Sequence, residues 1–186
     1  MSRQGWVELL AAAVADGTAV ANTTTRTILM PNLTIPANYM QDGRALRARL
    51  YGKHSTTGTP TMIFGAYWGG ALGTLLAQTA AITTISGAAN VPWEMDVMIQ
   101  TRTNGSAGAL LVDGTVTVFS SAAPTVASAT GNAATTPLTA GGASAPAAVS
   151  SLDLTADTQL SFTLTWSSAS SSNTATAMHY ELESKN

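Results

Sequence analysis

The chain has 186 residues, of which 45% are apolar and only 10% are charged, against about 25% charged residues in an ordinary soluble domain. Its net charge of -2 provides no cluster of cations large enough to displace counterions from a nucleic acid, so direct nucleic-acid binding is not expected. The absence of cysteine excludes disulfides, thiolate metal sites and thiol nucleophiles.

The surface must be built largely from uncharged polar groups, because the sequence contains 29 Thr and 17 Ser residues. Threonine fits a pleated strand better than a helix. The length suits one domain with a single core. We therefore expect one mainly β domain.

The first 25 residues are interpreted as an N-terminal arm that precedes a sandwich domain over residues 26–186. Four apolar residues between Trp6 and Ala13 suit a short helix, whereas the Thr-rich run that follows suits a strand. The conformation of the arm therefore stays open. Glu8 interrupts the apolar run, which is shorter than a membrane span, so we expect cytoplasmic synthesis and no membrane contact.

Alternation of apolar and polar side chains predicts the strands that follow. The clearest is Trp93–Ile99, where four apolar residues alternate with mostly hydrophilic ones. A turn or bulge is expected at Asp113-Gly114. The predicted strands are Thr27–Met30, Leu46–Lys53, Thr61–Trp68, Thr74–Ala77, Ile82–Ile85, Trp93–Ile99, Ala109–Val112, Thr115–Phe119, Leu160–Trp166 and Asn173–Glu183.

Residues 120–150 are almost exclusively Ala, Ser, Thr, Gly and Pro. Such a low-complexity stretch has too few large apolar side chains to form a core of its own, and we expect an extended loop. The remaining strands, separated by turn residues, predict two packed antiparallel sheets. The preferred architecture is an all-β antiparallel sandwich resembling a jelly roll, with an N-terminal arm.

The basic side chains of Arg47, Arg49 and Lys53 share one face of the strand predicted at Leu46–Lys53. Two interpretations stay open. The face contacts an acidic partner surface, or it protects an edge strand from pairing with other chains. These three residues are the candidate partner-contact site.

No arrangement of residues indicates catalysis, a metal or a cofactor. His54 and His179 lie on different segments without a carboxylate at ligand spacing. The carboxylate pairs Glu94 with Asp96 and Glu181 with Glu183 each share a strand face, which is more typical of a solvated surface. We expect a chain that is not an enzyme and binds no cofactor.

Three aromatic residues, Tyr67, Trp68 and Trp93, raise the possibility of carbohydrate binding, because exposed aromatic rings stack on sugars. Inward-facing tryptophans on alternating strands are more often core residues, since their rings bury a large area. Sugar binding is therefore kept as an alternative.

Several segments from Thr34 to the end of the chain form a combined pattern of turns and strand ends. They are Thr34–Met40, Gly43–Arg47, Ser55–Thr61, Trp93–Met95, Thr103–Ser106 and Trp166–Thr174. Together these segments resemble the small β-sandwich structural proteins of tailed bacteriophages. The likeness supplies no catalytic signature or individual site residues.

The resemblance implies a virion protein encoded among head or tail genes. A common role in this group is decoration of the outer capsid by trimers at local threefold positions, with the major capsid protein as partner. We therefore expect a capsid decoration (cement) protein. The alternatives are a tail or baseplate component, a carbohydrate-binding module on the virion, and a hydrolase with an unrecognised site.

Overall fold

A computed structural model describes residues 7–119, 133–139 and 147–185, and these form two packed antiparallel sheets. Within these ranges no helix is long and apolar enough to span a membrane. The strands are β1 (Val7–Ala12), β2 (Val20–Ala21), β3 (Thr27–Ile28), β4 (Leu33–Ile35), β5 (Ala45–Ser55), β6 (Thr61–Trp68), β7 (Thr74–Gln78), β8 (Ile82–Thr83), β9 (Val91–Thr103), β10 (Gly108–Phe119), β11 (Ala133–Pro137), β12 (Ala148–Leu152), β13 (Thr158–Trp166) and β14 (Thr174–Lys185).

The large sheet has the order β1-β14-β5-β9-β10-β11, with β12 also on β10 and β2 on β14. The small sheet has the order β3-β13-β6-β7, with β4 on β13 and β8 on β6. Successive strands change sheets repeatedly: β1, β5, β9 and β14 lie in one sheet, and β4, β6, β7 and β13 in the other. This double-sheet arrangement confirms the predicted jelly-roll-like sandwich.

The core lies between the inward faces of the two sheets. Phe64 and Trp93 face each other across it, with ring centroids 5.1 Å apart. The indole N–H of Trp93 donates to the Lys53 carbonyl at 3.2 Å, and that of Trp166 donates to the Val20 carbonyl at 3.1 Å. Because these buried indoles keep a hydrogen bond, both tryptophans can pack in the core without a desolvation penalty.

The described part of the predicted arm belongs to the sandwich. Residues 7–12 form β1, an edge strand that pairs with β14, and Val20–Ala21 pair with Thr174–Ala175. The helix considered for this region is absent from the described part, where Leu10 and Ala11 pack against the core. The apolar spacing near Trp6–Ala13 did not predict this strand because a bulge between Leu9 and Ala11 shifts its register.

The described parts of the predicted loop at 120–150 also form strands. Ala133–Pro137 and Ala148–Leu152 pair with β10, so the expectation of an extended loop is wrong for these residues; residues 120–132 and 140–146 lie outside the described ranges. Backbone pairing needs no large side chains. One does anchor the segment, because Leu138 is buried in the core.

Two local irregularities also differ from the predictions. β10 runs unbroken through Asp113-Gly114, and its register shift falls instead between Ala109 and Leu110. In β14 a register shift between Ala177 and His179 places Met178 on the surface, although alternation assigned it to the face of Tyr180. One extra residue in a strand moves the neighbouring side chain to the other face.

Candidate functional site

The outer surface formed by β14, β5 and residues 91–100 of β9 carries much of the chain's charge. Four of the 8 basic residues and four of the 10 acidic residues lie on it. We call this surface the polar face, and it consists of Arg47, Arg49, Tyr51, Lys53, Glu94, Asp96, His179, Glu181, Glu183 and Lys185.

Register arranges these side chains in rows across β14, β5 and β9. Glu181, Arg49 and Asp96 form one row, so that a cation lies between two carboxylates. The next row places Tyr51 between His179 and Glu94. Opposite charges directly across a strand pair are favourable, and the polar face is therefore charge-balanced.

Asp96 and Arg47 form the best-defined ion pair on the polar face. Arg47 Nε donates to Asp96 Oδ1 at 2.9 Å, and its Nη2 donates to Oδ2. Arg49 Nε lies 3.8 Å from Oδ2. The hydrogen bonds from Arg47 lower the pKa of Asp96, and the same pair raises the pKa of Arg47. The carboxylate is therefore charged and held in one orientation.

The predicted partner-contact residues are placed together, since Arg47, Arg49 and Lys53 all lie on the polar face. The edge-strand interpretation of this cluster is wrong, because β5 lies inside the large sheet between β14 and β9. Arg47 and Arg49 are both close to Asp96. The cluster therefore presents a mixed-charge surface rather than a basic one.

Tyr51 is the most exposed aromatic side chain of the described residues, with 45% of its surface accessible. Its ring lies 5.8 Å from that of His179, at a tilt of 54°. A shallow depression of about 150 Å³ opens beside it and is lined by Tyr51, Glu94, Met95, Asp96 and Thr115. An aromatic ring, two carboxylates and a hydroxyl therefore converge at one place on the polar face.

The two histidines have different surroundings. His54 is buried, its Nδ1 atom has no hydrogen-bond partner among the described residues, and burial lowers its pKa. His179 is exposed, with Nε2 3.8 Å from Glu181 Oε2. They do not form a joint site, and within the described ranges no group of three or more His, Cys, Asp or Glu side chains could hold a metal ion.

The outer surface of the small sheet contrasts with the polar face. None of its six strands contains a charged residue. Tyr67 points outward there but is only 6% exposed, because it lies over Gly65 and the Arg26 guanidinium stacks 4.2 Å from the centre of its ring. Trp68 points inward and is buried. The aromatics predicted as sugar-binding candidates are therefore unavailable for stacking.

A second exposed surface lies at the free edge of the large sheet. We call residues 7–18 the N-terminal edge. Val7 and Leu9 are 59% and 58% exposed, and Val14 projects fully into solvent. An apolar groove of about 580 Å³ runs between this edge and residues 28–33.

The sequence contains a signal that distinguishes Tyr51 from the three aromatics predicted to bind sugar. Alternation placed Tyr51 on the outward face with Arg47, Arg49 and Lys53, whereas the aromatics chosen were Tyr67, Trp68 and Trp93. An outward aromatic among charged neighbours is a better indicator of an exposed ring than an aromatic beside glycine.

Comparison with known proteins yields a likeness in structure but none in sequence. No family model matches the chain, and no relative was found among curated proteins. Among solved structures, the chain is similar to the CBM2 module of the evolved Dit of Lactobacillus casei BL23 phage J-1, with a TM-score of 0.38, 11% sequence identity and 97% of each chain covered. At this TM-score no property of that module is transferred to the chain.

Proposed function

We propose that the chain is a structural protein of a phage virion, and specifically a capsid decoration (cement) protein that binds the outer surface of the assembled head. The observation that supports this most is the N-terminal edge, where Val7, Leu9 and Val14 expose apolar side chains beside an apolar groove. Exposed apolar surface of this kind marks protein contacts. The sequence resemblance to virion sandwich proteins supplies the capsid as partner.

The proposed mechanism is burial of the N-terminal edge against neighbouring subunits. Removal of apolar surface from water stabilises a contact by about 25 cal/mol per Å². β1 also has one side that is unpaired within the described residues, and such an edge can accept a strand from another chain. A protein that binds only the assembled lattice stabilises that lattice by mass action.

The partners in this proposal are the major capsid protein and further copies of the chain, arranged as a trimer. The proposal includes no catalytic role, no cofactor, no direct contact with nucleic acid and no membrane. The proposal keeps a partner contact at Arg47, Arg49 and Lys53. The partner surface at this contact is now expected to carry charges of both signs rather than acidic groups alone. Val7 and Leu9 lie opposite Lys185 and Glu183 in the register of β1 and β14, so this contact adjoins that of the N-terminal edge.

The proposal is tested with heads purified from the encoding phage, with and without the protein. We expect the protein to copurify with heads at a fixed copy number relative to the major capsid protein. Heads that carry it should release their DNA at a higher temperature than heads that lack it. Equal thermal resistance of the two kinds of head would rule out a cementing role.

The N-terminal edge is tested with Leu9→Lys, which places a charge on the apolar surface. We expect the affinity for heads to fall by about tenfold or more, corresponding to the loss of about 1.4 kcal/mol. Leu72→Lys is the matched control, because Leu72 is an exposed apolar residue far along the chain in the turn before β7. Equal losses of affinity for both variants would contradict the assignment of the N-terminal edge as the contact surface.

A tail or baseplate component is the second candidate, because the sequence resemblance covers tail as well as head proteins. Immunogold labelling of intact particles distinguishes the two: label on heads supports decoration, and label on tails replaces it with the second candidate. A carbohydrate-binding role requires a different aromatic from those first considered.

A further inference from the structure

We propose that the depression beside Tyr51 binds a neutral pyranose sugar. This goes beyond a capsid-binding role, since the depression is lined by residues of β5, β9 and β10, none of which pairs with β1, and does not depend on what the N-terminal edge contacts. The inference is carried by the convergence of an exposed ring, two carboxylates and a hydroxyl around one shallow depression.

Tyr51 provides the apolar part of the site. One side of a pyranose carries C–H groups, which are weakly positive and pack against the negative face of an aromatic ring. Tyr51 is kept at the surface by the strand geometry of β5, because Leu50 and Gly52 on either side face the core. Its contact with the His179 ring limits the orientations available to it.

Glu94 provides free hydrogen-bond acceptors. It lies directly opposite Tyr51 in the register of β5 and β9. Within the described residues no hydrogen bond or ion pair engages its carboxylate. An ionised carboxylate accepts hydrogen bonds only, and sugar hydroxyls are donors that it can bind with charge-assisted strength.

Asp96 provides a second carboxylate in a fixed orientation. Arg47 donates to both of its oxygens. Each carboxylate oxygen has more than one lone-pair direction, so a ligand hydroxyl can still be accepted on the side facing the depression. Because the ion pair already orients the Asp96 carboxylate, ligand binding does not have to restrict that side chain further at a cost in conformational entropy.

The charges of the lining groups define the class of sugar. Glu94, which has no ion pair among the described residues, repels an anionic ligand such as a uronic or sialic acid, whereas a neutral ring with adjacent hydroxyls is not repelled. Thr115 lies opposite Asp96 in the register of β9 and β10 and adds a hydroxyl that can donate or accept. A depression of about 150 Å³ is open and small, so we expect a single residue at a chain end or branch to be bound weakly.

The site is tested on the isolated full-length protein, without heads. The probes are the methyl glycosides of glucose, galactose, mannose, rhamnose and N-acetylglucosamine, with glucuronic acid and sialic acid as anionic probes. Binding is followed by two-dimensional amide NMR. We expect at least one neutral glycoside to shift the signals of residues in β5, β9 and β10 around the depression, with a dissociation constant in the millimolar range.

Two variants test the residues, and a third is the control. Tyr51→Ala should weaken binding by about tenfold, the equivalent of 1.4 kcal/mol, and Glu94→Gln should weaken it while leaving the ring in place. Met178→Ala is matched to Tyr51→Ala, because Met178 is equally exposed on the neighbouring strand β14. It should leave binding unchanged.

The proposal is overturned if no neutral glycoside shifts these signals, if only the anionic sugars do, or if Met178→Ala weakens binding as much as Tyr51→Ala. A thermal melt of each variant verifies that it is folded. Because heads are not needed, a negative result here leaves capsid binding untouched, and failure to bind heads leaves the sugar site untouched.

Discussion

The two outer faces of the sandwich are built by the same strand alternation and yet have opposite characters. On the large sheet, many outward residues of β14, β5 and β9 are charged and Tyr51 is exposed. On the small sheet, outward residues are uncharged and Tyr67 is covered by Arg26. The comparison shows that alternation determines which way a side chain points, whereas its neighbours determine whether it is available for binding.

The largest expected difference is between the two outward tyrosines. Tyr67→Ala should lower the free energy of unfolding by about 3 kcal/mol, because a nearly buried ring and its packing are lost. Tyr51→Ala should change it by less than about 0.5 kcal/mol, because the side chain is largely solvated. Urea denaturation measures both. Similar losses for the two variants would show that the faces do not differ as described.

A smaller difference is expected between two glycines that lie beneath aromatic rings. A methyl group at Gly52 would overlap the Trp93 ring and the Thr176 carbonyl inside the large sheet. A methyl group at Gly65 would come within 2.8 Å of one Tyr67 ring atom, and this contact is with a side chain rather than with backbone. Gly52→Ala should therefore fall at the upper end of the range of about 1–3 kcal/mol for overpacking, and Gly65→Ala at the lower end.

The measurement for the glycine variants is again the denaturation midpoint, with thermal melting as a second probe. If Gly65→Ala were the more destabilising change, Tyr67 would be held more rigidly than a surface ring, and the small sheet would have to be treated as internally packed on both faces.

The smallest effect is expected from the charges of the polar face. Asp96→Asn should lower the free energy of unfolding by about 0.5–1 kcal/mol at neutral pH, since both partners of the pair are partly exposed. Because Arg47 lowers the pKa of Asp96 below its ordinary value of 3.8, the contribution is present above that pH and is lost as the pH falls. The variant should therefore lose less stability than the parent on acidification.

Glu94→Gln is the control for Asp96→Asn, because Glu94 has no ion pair among the described residues. Denaturation at neutral and at strongly acidic pH, each at low and high salt, gives the comparison. If the two variants behaved alike, the Arg47–Asp96 pair would contribute nothing to the fold.

Sequence reasoning predicted the regular parts of the fold. β6 was predicted with its observed bounds, and the predicted strand from Trp93 to Ile99 lies within β9. Apolar alternation is reliable in these strands because one buried face requires an apolar residue at every second position. It failed at Met178, where an inserted residue interrupts the period, and at Ala133–Pro137, where backbone pairing rather than side-chain burial holds the strand.

The candidate site was predicted less completely than the fold. The alternation within one strand was enough to predict that Arg47, Arg49 and Lys53 lie on the same face. Their pairing with Asp96 could not be predicted in this way, because it depends on the register between β5 and β9. The exposure of the N-terminal edge also depends on tertiary structure, since a strand can be recognised as an edge strand only when the pairing of the whole sheet is known.

The equal numbers of cations and anions on the polar face have a kinetic consequence. Opposite charges a few ångströms apart cancel one another at a distance, and salt screens what remains beyond about 8–10 Å. A partner is therefore not drawn in from afar, and its association rate should stay near the unsteered range of about 10⁵–10⁶ M⁻¹s⁻¹ with little dependence on ionic strength. Discrimination between partners then takes place only after they touch.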